Sequence, residues 1–223
     1  MTDTETMYDA LRADPDIRTY IAAADDSLRV LGYTEHSFAH VTHVAEQAAS
    51  LLTDLGYDAH TVELSRVAGY LHDIGNLVNR VDHSQSGAIL AFRILEHRGL
   101  PAADIATVVT AIGNHDEGTG VAVNPVAAAL ILADKCDVRR SRVRNRDFAT
   151  FDIHDRVNYS VTDAALTLNR AENAFELSLT IDTAISPVMD YFEIFLGRMT
   201  MCRRAAEYLS HAFRLIINGQ RLF

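Results

Sequence analysis

In the stretch "GYLHDIGN", residues 69–76, a histidine and an aspartate stand side by side among Tyr70, Leu71, Ile74, Leu77 and Val78. A carboxylate in apolar surroundings is costly unless it is paired or bound to a cation. On a helix of ~3.6 residues per turn, His72 and Asp73 point about 100° apart. They cannot grip one point as an i, i+4 pair would, but they could serve two adjacent metals, or one metal and a bridge. The simpler alternative is a His–Asp hydrogen bond in the wall of the core. Other imidazoles and carboxylates widen the choice. "EHSFAHVTHVAEQAA" carries His36, His40 and His43 at spacings of four and three, which share one helical face. His83 follows in "DHSQSGAIL", His115 in "AIGNHDEGTG" and Asp134 in "LILADKCDVRR". Imidazole nitrogens with bridging carboxylates suit Fe, Mn, Zn or Co better than Mg or Ca.

These residues need helices to hold them. Apolar positions at helical spacing predict helices over 16–31, 38–55, 61–74, 83–98, 102–115 and 125–139. Gly56 is a stop signal. "RGLP" at 98–101 separates two helices, and "NHDEGTGVAVNP" at 114–125 reads as a loop. Near residue 150 the texture changes. In "RVNYSVTDAALTLNR" Val157, Tyr159 and Val161 alternate, and in "FELSLTID" Phe175, Leu177, Leu179 and Ile181 do the same. The polar "NRAEN" between them could close a hairpin. Ser186 as cap and Pro187 in the first turn predict a long helix to about Leu209, and "AFRLIING" reads as a final strand. The fold class expected is therefore mainly α: a helical domain over 1–150, then a small α+β domain over 151–223.

Composition narrows the function classes. A chain of 223 residues, 48% hydrophobic, can bury a core without disulfides. Cys136 and Cys202 have no motif spacing and read as free thiols in a reducing, cytoplasmic setting. "MTDTETMYDALRADPD" lacks the basic start and apolar stretch of a signal peptide. No apolar run approaches bilayer length, so no membrane partner is expected. The net charge of −10 argues against a nucleic-acid polymer as partner. It leaves room for a small phosphorylated substrate whose charge is met by a metal or a local Arg cluster.

The order His, His-Asp, His, His, Asp resembles the HD superfamily of metal-dependent phosphohydrolases over residues 36–142. "HVTHVA" matches the segment of the first ligand and places it on His40 rather than His36 or His43. "LHDIGN" matches the central "HDxGK", with Asn76 where the pattern has lysine. "HSQSGA", "AIGNHDEG" and "LADKCDVRR" resemble the later segments and add His83, His115 and Asp134. The pattern is similar to that of bacterial HD-type symmetrical diadenosine tetraphosphate hydrolases, whose closing acid and Arg would fall on Asp137 and Arg140. Cyclic dinucleotide phosphodiesterases of the same superfamily usually show two adjacent histidines in the fourth segment, where this chain has Asn114 and His115.

The resemblance implies an HD-domain helical bundle and two divalent transition metal ions, Fe or Mn first, with Zn, Co or Ni as substitutes. One would take His40, His72, Asp73 and Asp134, and the other Asp73, His83 and His115. Asp73 and a hydroxide would bridge them, and the hydroxide would cleave a phosphoester or phosphoanhydride of a nucleotide or related small phosphate. Charge developing on the phosphoryl oxygens needs further cations. Lys135, Arg139 and Arg140 are the candidates for substrate binding, because Arg pairs bidentately with phosphate. Arg80 is a weaker one. Asp116, or Glu117 beside it, is a candidate general acid. His60, His97, His154 and His211 read as structural or exposed. The α+β part carries no catalytic motif. It could form a homodimer contact, cover the mouth of the site or bring a side chain to the substrate. The same ligand set also occurs in HD-type mixed-valent di-iron oxygenases, and a third alternative is a non-catalytic, metal-stabilised regulatory module.

Overall fold

A computed structural model describes residues 6–222. The helices are α1 (Met7–Ala13), α2 (Pro15–Val30), α3 (Phe38–Asp54), α4 (Ala59–Leu71), α5 (His83–His97), α6 (Ala102–Gly113) and α7 (Pro125–Lys135), then α8 (Ile153–Ser160) and α9 (Val188–Tyr208). The strands are β1 (Val161–Asn169), β2 (Ala174–Ile181), β3 (Ala212–Ile217) and β4 (Gln220–Arg221). The chain is mainly α with an α+β C-terminal part, as expected. Side-chain caps set many helix starts: Asp14 accepts from Asp16 and Ile17 ahead of Pro15, Asp58 from Thr61, and Asn124 from Ala127 ahead of Pro125.

Helix α7 is the axis of the molecule. Every residue from Val126 to Lys135 is buried, as an all-round apolar helix must be. It packs against α3, α4, α6 and α9. Helices α3 and α4 approach closely because Gly69 has no side chain: a Cβ there would lie 2.6 Å from Ala45 Cα and 2.8 Å from Ala45 N. That crossing brings His40 on α3 level with His72 at the end of α4.

The sheet has the order β1-β2-β3-β4. Strands β1 and β2 form the expected hairpin, with Asn173 in the left-handed region at its turn (φ 48°). Strands β2 and β3 are parallel, joined through α9, and Phe175, Leu177 and Leu179 pair with Phe213, Leu215 and Ile217. These residues are buried. The buried apolar residues of the α+β part join those of α7 in one core.

Three details differ from the sequence expectation. The alternation at Val157 and Tyr159 is not strand: both lie in α8, capped by Asp152, and the sheet begins at Val161. Three alternating residues are too few to outweigh a capped helical turn. Ser186 does not cap α9. Pro187 holds the cap position, and Ser186 Oγ donates to Asp190 (3.0 Å). Helix α1 was not anticipated within the polar N-terminal stretch, yet Tyr8 and Leu11 bury against the core.

Gly69→Ala should cost about 1–3 kcal/mol through overpacking and lower Tm by roughly 2–4 °C per kcal/mol in a chain this long. Thermal unfolding followed by circular dichroism checks it, and an unchanged Tm would contradict the close α3–α4 crossing.

Candidate metal centre

Each candidate ligand sits where an element ends or turns inward. His40 is in the first turn of α3. Helix α4 ends at Leu71, so His72 occupies its C-cap and Asp73 leads into a short 3₁₀ turn over Ile74–Leu77. His83 opens α5, directly after Asp82 in the left-handed region (φ 57°). His115 follows the end of α6, and Asp134 lies in the last turn of α7. Gly75 lets the 3₁₀ turn touch α5: a Cβ there would lie 1.9 Å from the His83 carbonyl oxygen and 2.5 Å from Gly87 N. The structure therefore brings His40, His72, Asp73, His83, His115 and Asp134 together.

The imidazoles share one orientation. Nδ1 of His72 donates to the Gly69 carbonyl (2.7 Å), Nδ1 of His115 to Ile112 (2.6 Å) and Nδ1 of His83 to Arg80 (3.2 Å). Nδ1 of His40 donates to Asp137 Oδ2 (2.7 Å). Fixing the proton on Nδ1 aims Nε2 into the cluster, the arrangement used for metal ligation. Nε2 of His40 and His72 and Oδ2 of Asp73 are buried without hydrogen-bond partners. Asp73 Oδ2 lies 3.4 Å from His40 Nε2 and 3.3 Å from His72 Nε2, while its Oδ1 lies 3.6 Å from His83 Nε2. Asp134 Oδ1 lies 3.4 Å from His40 Nε2 and 3.7 Å from His72 Nε2. The Nε2 atoms of His83 and His115 face each other at 3.2 Å. Two lone pairs so placed repel unless a cation comes between them, so the donor set fits metal ions. The ligand atoms of His40, His72 and Asp134 converge within 4.8 Å, and so do those of His72, Asp73 and His115. His115 thus stands against His72 as well as His83.

Charge states follow from the same packing. Burial pushes His115 well below 6.5 and lowers His83 too, which keeps both neutral. Burial and Arg142 depress His40, but Asp134, Asp137 and Asp73 outweigh them and raise it to about 10. Burial works against ionised Asp73 and Asp134. The histidines around Asp73, and Lys135 and His40 beside Asp134, hold both carboxyls well below the usual range.

Supporting residues surround the cluster. Asn76 Nδ2 donates to Asp73 Oδ1 and to the Asp73 carbonyl, both at 2.9 Å, so the residue replacing the pattern's lysine steadies the central carboxylate. Arg142 donates to the carbonyls of Asp137 and Glu35 (both 2.9 Å) and is buried. It holds Asp137, which holds His40. Sequence reasoning did not single out Arg142, because spacing alone does not say which arginine of "RRSRVRNR" turns inward.

A cavity of about 300 Å³ opens over the cluster, and Asp73, His83, Asp134 and Lys135 line it. Lys135 Nζ lies 2.8 Å from Asp134 Oδ2. Arg80 also lines it, with Nη1 3.3 Å from His83 Nε2. Arg139 and Arg140 do not. Arg139 is bound to the Asp137 carboxylate (Nη2 to Oδ2, 2.9 Å), and Arg140 donates to the Tyr159 carbonyl and stacks on that ring at 4.5 Å. Asp116 is not a lining residue, and its carbonyl accepts from Gly120 N (2.8 Å). His36 lines the cavity, while half-exposed His43 lies 3.8 Å from Asp137 Oδ1 on the far side of His40. The opposite wall is Asp152, His154, Asp155 and Asn158 from α8 and its cap, with Arg198 from α9. His154, read from sequence as structural or exposed, thus belongs to the cavity. The stretch "FDIHDRVNYSVTDA" was expected to be able to bring a side chain to the substrate, but its spacing did not say that His154 would be one that reaches the cavity.

Residues 37–139 match the HD domain family. This stretch is an HD domain. The chain is also 26% identical to the uncharacterized protein MJ1020 of Methanocaldococcus jannaschii, over 84% of this chain and 79% of that protein. A solved structure of a predicted HD superfamily hydrolase from an uncultured Thermotogales bacterium is 22% identical, covering 60% of this chain and 75% of that one with a TM-score of 0.42. The HD domain begins just before His40 and ends just after Asp137, so it contains the whole cluster, whereas α8 and α9 lie beyond it.

Two measurements follow from these supports. Asp137→Asn should lower metal affinity about 10- to 100-fold, the usual effect of losing a carboxylate behind a ligating histidine, read by competition with a chelator. A metal entering beside His40 must displace the second proton, on Nε2, that the surrounding carboxylates favour by raising this imidazole to about 10. Apparent affinity should rise about one decade per pH unit from roughly pH 7 to 9. Calorimetry in buffers of different ionisation enthalpy should register the released proton, and a pH-independent affinity would contradict it.

Proposed function

We propose that the protein is a metal-dependent phosphohydrolase, with metal ions held by His40, His72, Asp73, His83, His115 and Asp134. The observation that carries this reading is the Asp73 carboxylate. One oxygen faces His40 and His72 and the other faces His83, the disposition of a carboxylate shared between two ions. Divalent ions in such a pair lower the pKa of water and draw charge from a phosphoryl oxygen. His-rich carboxylate donors favour Fe or Mn, and Zn, Co or Ni also suit them.

The chain's own residues do the rest. Lys135 presents its ammonium to the cavity at the edge of the cluster and meets the phosphoryl charge. The cluster carboxylates are kept ionised by their neighbours, so they remain ligands rather than acids. Asp152, Asp155 and Asn158 supply acceptors for hydroxyl or amino groups on the opposite wall. A volume of about 300 Å³ is at the low end for ligand sites. It favours a small phosphorylated compound, a mononucleotide or similar ester, over a dinucleotide.

Elemental analysis of protein purified without added metal, with phosphate release measured over nucleotides and related esters, tests this reading. The expected result is about two transition metal ions per chain, with hydrolysis reduced about 100-fold or more in His72→Ala and Asp73→Ala. Bound iron with oxygen uptake and no phosphate release from any ester would instead identify an oxygenase.

A further inference from the structure

Among the cations lining the cavity, two are already committed to the protein. Arg142 donates to backbone carbonyls beneath the cluster, and Arg80 lies against His83 and over the Tyr33 ring at 5.5 Å. Lys135 and Arg198 share a partner at the cavity edge, although Lys135 also lies 2.8 Å from Asp134 Oδ2. They come from separate parts of the chain, the end of α7 and the middle of α9, and both face the same carboxylate. Lys135 Nζ lies 3.6 Å and Arg198 Nε 2.6 Å from Glu117 Oε1.

Glu117 sits on the tight loop after His115. Gly120 closes that loop, and a Cβ there would lie 2.3 Å from the Asn114 carbonyl oxygen and 2.4 Å from that of Asp116. The carboxylate does not satisfy what it touches. Arg198 Nε is close to it but not aligned, and is left buried without a hydrogen-bond acceptor. Phe195 lies under the guanidinium at 4.6 Å and supports it in place.

We propose that Lys135 and Arg198 receive a phosphate group beside Asp134, and that Glu117 is an internal anion holding their place until that phosphate displaces it. This deepens the phosphohydrolase reading and rests on it for the identity of the incoming anion. The exchange favours the phosphate, which carries roughly −1.5 to −2 charges at pH 7 against the single charge of a carboxylate. It also offers enough oxygens to meet Arg198 bidentately and Lys135 together. Arg198 lies outside residues 37–139, so the C-terminal part would complete the anion site of the HD domain.

Calorimetric titration of the metal-loaded protein with inorganic phosphate, at fixed ionic strength, tests the proposal. Glu117→Gln should tighten binding roughly tenfold and Arg198→Ala should weaken it by a similar factor, with Arg198→Lys recovering part of the loss. Glu117→Ala repeats the first arm if the Gln variant melts early. Equal Kd values in all variants, with unchanged Tm, would overturn the proposal. So would weaker binding in both Glu117 variants, which would make Glu117 a positioner of the cations instead of a competitor. Phosphate release by the unaltered protein, measured alongside, separates the two readings. Hydrolysis with equal Kd values removes the anion pair alone, whereas the predicted shifts without hydrolysis remove the phosphohydrolase and support the pair.

Discussion

Buried nitrogen and oxygen atoms without partners are what the rest of this molecule is arranged around. Nε2 of His40 and His72 and Oδ2 of Asp73 are shut away from water with nothing to bond. Such groups cost free energy unless something compensates them. The surroundings satisfy the other side of each ring: a carbonyl behind His72, His83 and His115, a carboxylate behind His40. The protein thus prevents its histidines from turning away from one another. A cation is the species that relieves what remains.

Helix α7 makes this possible at a distance from the surface. Its apolar length anchors Asp134 and Lys135 at its C-terminal end, where the chain turns and Asp137 comes back under His40. Arg142 then ties that turn to the Glu35 carbonyl, just ahead of α3. Catalytic candidates, their supports and the core are consequently one construction, and a disturbance of the α7 terminus reaches His40 and the cavity together.

The helices were largely legible in the sequence, because burial of an apolar face imposes a 3.6-residue period, and ionisable residues inside such faces are rare enough to draw notice, whereas the choice of His40, His83 and His115 as candidate ligands rested on the family resemblance. His72, Asp73 and Asp134 stood out for that reason. What surrounds them was less legible. The cations that meet at Glu117 come from residues far apart in sequence, Lys135 and Arg198, and no local spacing announces a pairing across the fold. Arg139 and Arg140 looked equally suitable by composition, but their guanidiniums are taken up by Asp137 and by Tyr159. Val157 and Tyr159 were expected in a strand but lie in α8, and the stretch around them was expected to be able to reach the substrate without any signal that singled out Asp152, His154 or Asp155. Their role depends on where a single turn of helix points.

The packing of α9 on α7 also bears on how the chain can be divided. Cys202 and Cys136, one on each side of that contact, are both buried with their sulfurs 3.7 Å apart, and Phe195 and Met199 lie in the same core. Excising residues 37–139 would strip this cover and expose the central helix of the molecule to water. It would also remove Tyr8, Leu11 and Ile17, which are buried in the same core. The stretch recognised as a family is thus smaller than the unit that folds. A boundary drawn by resemblance cuts through the hydrophobic interior, and a soluble fragment has to be cut elsewhere.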